Sequence, residues 1–343
     1  MIKRIAVMGA GSLGTTMGAF LTKHGYDVTL VDAYREHVDA LNKTGAHIIG
    51  TVDMLVPVKA CYADAMEGTF DLFLYMAKQT CNDVAIPQMV AHSHDKTVIA
   101  TCQNGLPEEA LANYIPRDRI IGVPTGWGGI FQGPGCTLLP STLDSMACSV
   151  GTLSGAHTAE LDQVAEILSS FLHVSVSPNL SGLRWSKLIF NSAYSGLSTI
   201  TGYTLGKIME EPALMRMICF TARESLRVAK ACGVKVELFH CGERAYDFEK
   251  LFAFEGEPDL AQAMEDAQGY VGPAGGGVIA SMLQDIMRGL PCEVDAINGA
   301  VCQQGACSGT PTPINRQLAE MIRSIQAGKM PYRRENADLL KLD

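Results

Sequence analysis

The feature that most constrains this 343-residue chain is the run Gly9-Ala10-Gly11-Ser12-Leu13-Gly14, set between an apolar stretch and a helical pattern. Lys3–Met8 is short, apolar and ends abruptly at glycine, which predicts a buried parallel strand. Thr15–His24 follows as a helix with Met17, Phe20 and Leu21 on its buried face, closed by Gly25. Asp27–Val31 then reads as a second strand, ending in Asp32, 18 residues after Gly14. In that setting Gly9 permits a tight strand-to-helix turn, Gly11 lets backbone approach a pyrophosphate, and Gly14 lets the helix pack closely on the sheet. The helix start at Ser12 and Leu13 offers N–H groups and the positive end of the macrodipole to phosphates. Asp32 can accept both adenosine-ribose hydroxyls and would repel a 2′-phosphate. The pattern therefore predicts a Rossmann domain that takes NAD, with NADP less favoured, although Arg35 stands close to Asp32.

The length suggests two domains at about 150 residues each. Hydrophobic residues make up 47% and charged residues 18%, enough apolar material for sizeable cores. A net charge of −9 disfavours nucleic-acid or anionic-membrane partners, which require a basic face. The 11 cysteines are scattered without a Cys-x-x-Cys pair, as expected of core thiols in a reducing cytoplasm. Neither a signal peptide nor an apolar run of membrane-spanning length is visible. His92-Ser93-His94 and His240-Cys241 lack third ligands, so no metal is expected.

Asp71–Met76 and Thr97–Thr101 read as further core strands, each followed by a polar turn at its carboxyl end, where doubly wound sheets bind ligands. Topology alone aims Lys78 and Asn104 at the cofactor rim; a solvated lysine and a plain Asn-Gly turn are the alternatives. Ile120–Val123, Cys136–Leu139, Ala147–Val150 and Val174–Ser177 are short strands that extend the sheet or add an edge, and Ala159–Leu172 is an amphipathic helix. Ser177-Pro178-Asn179 breaks the pattern, giving domains 1–178 and 179–343.

Beyond Ser181 helical patterns take over. In Arg184–Ser195, Trp185, Leu188, Ile189, Ser192 and Ala193 form one face at 100° per residue. Lys187, Asn191 and Ser195 form a polar stripe edged by Phe190 and Tyr194, which fits either a cleft wall or an ordinary surface. The helix through Ser281-Met282-Leu283-Gln284-Asp285 should stop at Arg288-Gly289. A new helix from Pro291 or Cys292 into Val301 would put Glu293 in its first turn, as many helices do with a glutamate. Gly272–Gly277 is expected to be a flexible loop with the makings of a lid.

These motifs together resemble the ketopantoate reductase (2-dehydropantoate 2-reductase) family over nearly the full length. The resemblance rests on Gly9–Gly14, the Lys78 turn, Asn104-Gly105, Lys187-x-x-x-Asn191, Ser281–Asp285 and Glu293-Val294-Asp295 with Asn298-Gly299. It implies a Rossmann α/β domain followed by an all-α domain of the 6-phosphogluconate dehydrogenase C-terminal type, with catalysis in the cleft between them. Lys187 would be the general acid and Glu293 its supporting carboxylate. Asn104, Asn191 and Ser281 would bind substrate or orient the nicotinamide. A cytoplasmic homodimer serving pantothenate biosynthesis is also implied.

Two positions depart from the family pattern. A second asparagine usually stands where this chain has Ser195, and a basic residue usually lies near the position of Asp32. Ser195 would then contact a substrate of different shape. The expected reaction is NAD(P)H-dependent reduction of a 2-oxoacid by hydride transfer, with Lys187 protonating the developing alkoxide. The departures favour a rival, an NAD-dependent D-2-hydroxyacid dehydrogenase for branched or aromatic 2-oxoacids. A non-catalytic NAD sensor would have no use for Lys187, Asn191, Ser281 and Glu293.

Overall fold

The computed structural model describes residues 1–241, 244–269 and 277–342. Its first unit comprises Met1–Gln103 and Pro107–Leu180, its second Asn104–Leu106 and Ser181–Asp343.

The first unit begins with β1 (Arg4–Met8), α1 (Ser12–Lys23), β2 (Asp27–Asp32) and α2 (Arg35–Thr44). Next come β3 (Ala46–Gly50), β4 (Met54–Val56), β5 (Lys59–Tyr62), β6 (Phe70–Tyr75), α3 (Asn82–Ala91) and β7 (Ser93–Thr101). It ends with α4 (Pro107–Leu111), β8 (Ile120–Gly122), β9 (Ile130–Gly133), β10 (Cys136–Leu139), β11 (Ala147–Thr152), α5 (Ala159–Ser169) and β12 (His173–Val176). Eight strands form one sheet in the order β12-β11-β8-β7-β6-β1-β2-β5. From β8 to β5 all neighbours run parallel, and β11 joins β8 antiparallel. Parallel strands need cover on both faces, and alternate residues supply it. Ile5, Val7, Leu72, Leu74 and Val98 enter one buried cluster, while Ala6, Met8, Phe73, Tyr75 and Ile99 enter another.

The register decides where a ligand can sit. Met8 stands beside both Val31 and Tyr75, and Tyr75 beside Thr101. The carboxyl ends of β1, β2, β6 and β7 therefore share one edge. The chain leaves β1 toward β2 on one side and returns to β6 on the other, a topological switch point where such sheets bind ligands.

Two details differ from the strand pattern read in the sequence. Cys136–Leu139 does not extend the main sheet; it pairs with β3 and β9 in a second sheet ordered β4-β3-β10-β9. Lys59–Tyr62 supplies an edge strand that the pattern hid, because it is short and only half-buried.

The second unit contains α6 (Leu180–Phe190, its first residue in the first unit), α7 (Gly196–Thr201), α8 (Leu205–Met209) and α9 (Pro212–Ala231). After a hairpin of β13 (Phe239–Cys241) and β14 (Arg244–Tyr246) come α10 (Phe248–Leu251), α11 (Glu257–Gln268), α12 (Ser281–Met287), α13 (Ala300–Ser308) and α14 (Pro313–Gln326). Among the described residues the unit's regular structure is helical apart from that two-stranded hairpin, which the helical expectation did not include. Phe239 stacks on Phe190 and Phe248, so the hairpin serves as a packing element. Trp185, Leu188, Ile189 and Ala193 lie in the same core as α9 and α14. Of the residues expected to form a lid, 272–277, all but Gly277 lie outside the described residues. Among those described, no helix is long and apolar enough to cross a membrane.

Candidate active site

The glycine turn is a backbone device. Gly9 has φ +100°, and a Cβ there would lie 2.3 Å from the Ala77 backbone nitrogen, beyond the end of β6. A Cβ on Gly14 would lie 2.0 Å from the Gly9 carbonyl oxygen. Gly11 differs, since its Cβ would meet nothing within 4 Å. The first two glycines are needed for close packing, and the third leaves open space at the start of α1. Gly11 is the N-cap of α1 and, among the described residues, no side chain caps that end, so the first-turn N–H groups at Ser12 and Leu13 carry the positive helix end.

Asp32 ends β2 and turns one carboxylate oxygen back to accept the Tyr34 N–H at 2.9 Å. Arg35, its neighbour in sequence, is engaged elsewhere: Nη2 donates to Asp64 at 2.8 Å, and the guanidinium lies 4.4 Å over the Tyr62 ring. Lys78 is half-buried in the turn after β6. Gln103, after β7, donates to the Ala77 carbonyl at 2.7 Å and to Asn82 Oδ1 at 3.0 Å, which joins the β6 and β7 turns. Asn104 packs with the second unit, where Leu106 lies against the helical core.

Sequence reasoning missed His37. Only 1% exposed, it lies behind the glycine turn. Its Nδ1 accepts the Gly135 N–H at 2.9 Å, which leaves the proton on Nε2, and Nε2 donates to the Ala10 carbonyl at 2.7 Å. Thr15 Oγ1 donates to the same carbonyl at 2.7 Å. Burial lowers the imidazole pKa, while the Asp32 charge and the Ala10 bond oppose that shift. The period-3.6 pattern could have flagged it, since His37 sits with Val38 and Leu41 on the buried side of α2.

In the second unit, Lys187 is half-buried near the end of α6, and Asn191 opens a π-helical turn, Asn191–Ser195. The strict 100° spacing is interrupted there, although Ser192 and Ala193 remain buried on the face that it assigned them. Ser195 is 7% exposed, and Tyr194, at 1%, donates its hydroxyl to the Ala267 carbonyl at 3.0 Å. Phe190 and Tyr194 stack on each other, with centroids 4.6 Å apart. Phe190 is half-buried and stacks on Phe239 of the hairpin, while Tyr194 lies in the helical core.

Glu293 also differs from expectation. The helix after Pro291 begins with a π-helical turn at Asp295–Gly299, so Glu293 lies just ahead of it; its carbonyl accepts the Ile297 N–H at 3.1 Å. The widened turn, in which the Gly299 N–H reaches Val294 at 2.9 Å, accompanies the burial of Asn298. Glu293 is 5% exposed. Ser281 is the exposed first residue of α12, whose N-cap is Ala280. The two π-helical turns pack on each other and α12 packs on the first, bringing together the segments that carry Asn191, Ser195, Ser281 and Glu293.

Comparison with known proteins gives concordant matches. Residues 5–141 match the family model described as ketopantoate reductase PanE/ApbA, and residues 179–326 match its C-terminal counterpart. The chain is 25% identical to a 2-dehydropantoate 2-reductase of Archaeoglobus fulgidus, covering 95% of this chain and 99% of that one. A crystal structure of a PanE/ApbA family ketopantoate reductase from Ralstonia eutropha superposes with a TM-score of 0.78 at 25% identity, over 95% of this chain and 99% of that one. The fold is also shared with a D-mandelate dehydrogenase in ternary complex with NADH and anilino(oxo)acetate, TM-score 0.82 at 21% identity, over 95% and 99% of the two chains.

Proposed function

Because the chain belongs to the ketopantoate reductase family, we propose that it reduces a 2-oxoacid to the 2-hydroxyacid, ketopantoate to pantoate or a closely related conversion. The observation carrying this reading is that two family models, ketopantoate reductase PanE/ApbA and its C-terminal counterpart, match residues 5–141 and 179–326 in turn, the first over a glycine turn suited to a dinucleotide.

The residues fit that cofactor. Open space at Gly11, the α1 N-terminus without a side-chain cap and the Asp32 carboxylate would hold pyrophosphate and adenosine ribose, with Ser12, Leu13, Lys78 and Asn104 beside them. When bound, the dihydronicotinamide supplies the hydride. Lys187 donates a proton to the substrate oxygen as negative charge develops there, and Glu293 orients the ammonium. Asn104, Asn191 and Ser281 hydrogen-bond the polar groups of the 2-oxoacid. NAD is preferred over NADP on this reading. Asp32 repels a 2′-phosphate, and Arg35, three residues on, is balanced by Asp64 and stacked on Tyr62. The working form is a cytoplasmic homodimer.

A second reading, an NAD-dependent D-2-hydroxyacid dehydrogenase for branched or aromatic 2-oxoacids, is favoured by Ser195. A buried serine here replaces the longer asparagine usual in the family, so one hydrogen-bonding arm for a substrate hydroxyl is missing. Initial rates of NADH and NADPH oxidation with ketopantoate, 2-oxoisovalerate, 2-oxoisocaproate and phenylpyruvate separate the two. A clear lead for ketopantoate supports the first reading, and a lead for an unhydroxylated 2-oxoacid the second. No turnover with any of the four would overturn both.

A further inference from the structure

The widened turns after Lys187 and after Glu293 are joined by buried polar side chains that the reaction itself does not use. Asn298, fully buried, donates from Nδ2 to the Ser192 carbonyl and to Asn315 Oδ1, each at 2.9 Å. Asn315 Nδ2 in turn donates to Glu224 Oε1 at 2.8 Å and Ser225 Oγ at 3.2 Å. Ser225 and Ser192 share a hydroxyl contact at 2.9 Å. Glu224 also accepts the backbone N–H groups of Asn315 and Ile314, at 2.8 and 3.0 Å, at the start of α14. Glu224 is 7% exposed, and Ser192, Ser225 and Asn315 are fully buried.

The arrangement has a direction. A carboxylate only accepts, so Glu224 fixes the Asn315 amide with its nitrogen toward itself. The Asn315 oxygen must then face Asn298, and Asn298 must present its nitrogen to both the Ser192 carbonyl and Asn315. That orientation leaves Asn298 Oδ1 buried with no hydrogen-bond partner among the described residues. A buried acceptor without a donor is costly, and an amide free to choose would avoid it. Gly196 lies beside this amide, where a Cβ would come to 3.4 Å from Asn298 Nδ2. The network spans α9, α14 and both π-helical turns, which are themselves a frequent mark of functional sites.

We infer that Asn298, oriented by Asn315 and Glu224, is a positioning residue that fixes the turn following Lys187 against the turn following Glu293. The inference rests on the reading of Lys187 and Glu293 as proton donor and supporting carboxylate. It assigns a duty to Asn298-Gly299, a motif the reaction leaves unused.

The test measures Asn298→Ala and Glu224→Gln beside Lys187→Ala, in the full chain at a temperature where circular dichroism shows each variant folded. Asn298→Ala should lower kcat tenfold or more, leave the NADH dissociation constant within twofold, and move a limb of the kcat–pH profile. Glu224→Gln should shift kcat in the same direction by less. A residue that merely supports the fold would lower the melting temperature without moving the profile. A Lys187→Ala variant that turns over normally would bring down the catalytic reading and the inference with it. A dead Lys187→Ala beside an Asn298→Ala of unaltered kcat and profile overturns the inference alone. Should Asn298→Ala not fold, Ser225→Ala, which removes one acceptor of Asn315, is read by the same criteria, with a two- to fivefold loss of kcat expected.

Discussion

The dinucleotide turn and the lysine-bearing region solve the problem of placing functional groups in opposite ways. At the turn, position is set by backbone: a strand end, three glycines and a helix start, all within residues 4–23. In the second unit, position is set by side chains drawn from four separated stretches of chain, which meet only after folding. The first kind of site is fixed by local sterics and tolerates few changes of backbone shape. The second is fixed by a hydrogen-bond network and should lose function by degrees as members are removed.

The strongest challenge to this contrast is Lys187→Ala. A proton donor acting in the rate-determining chemistry is worth 10² to 10⁴ in rate, so kcat should fall by about 10³. NADH affinity, read by quenching of protein fluorescence, should survive, because the glycine turn belongs to the other unit. Turnover within tenfold of the parent would show that the second unit does not carry the proton transfer.

Next in size is a contrast within the turn itself. Gly9→Ala places a side chain at φ +100° and against the Ala77 backbone, so it should cost about 3 kcal/mol in chemical denaturation and weaken NADH binding through the fold. Gly11→Ala meets nothing in the protein and should stay within about 0.5 kcal/mol of the parent. Its NADH affinity should nonetheless drop at least tenfold, because the new methyl occupies space meant for pyrophosphate. If both variants lost equal stability, the division between packing glycines and a ligand-facing glycine would be wrong.

This division explains what was legible in the sequence. Gly9–Gly14, Asp32 and the core strands announce themselves because spacing along the chain maps directly onto spacing in the fold. His37 did not: its role needs Gly135, 98 residues away, to fix the tautomer. The stripe Lys187, Asn191, Ser195 was legible as a polar face, but the π-helical turn and the burial of Tyr194 were not, since α9 packs on that turn and the Tyr194 hydroxyl reaches the distant Ala267 carbonyl. Asn298 entered only as part of the Asn298-Gly299 motif, with no partner attached to it, and Glu224 carried no local signal at all. Periodicity reports which face is buried, and it is silent on which buried polar groups find each other.

Cofactor choice gives a smaller effect. Asp32→Ala should shift the ratio of kcat/KM for NADH over NADPH by about tenfold toward NADPH, or about 1.4 kcal/mol. Asp64→Ala, by freeing Arg35, should shift it two- to threefold the same way, a modest change because the ion pair is exposed. An unchanged ratio in both variants would remove the β2 end from cofactor selection.

The smallest effect separates His37 from the rest of the turn through pH. Burial places its pKa in the folded chain below the ordinary value of 6.5, with Asp32 and the Ala10 carbonyl only partly offsetting the shift. Above that value the ring is neutral whether the chain is folded or not, and stability is independent of it. As pH falls below about 6.5 the unfolded chain takes up the proton first. The folded ring resists, because protonating Nδ1 would break the bond from the Gly135 N–H and set two donors face to face. Stability should therefore drop as pH falls, by at most about 1.4 kcal/mol per unit, until the lowered folded-state pKa is passed. Carboxylates add their own slope, so the comparison is with His37→Gln, whose melting temperature should decline less between pH 7.5 and 5.5. NADH affinity should follow the same course, since the Ala10 carbonyl held by His37 lies in the glycine turn. Equal slopes in parent and variant would mean that the turn keeps its shape by backbone sterics alone.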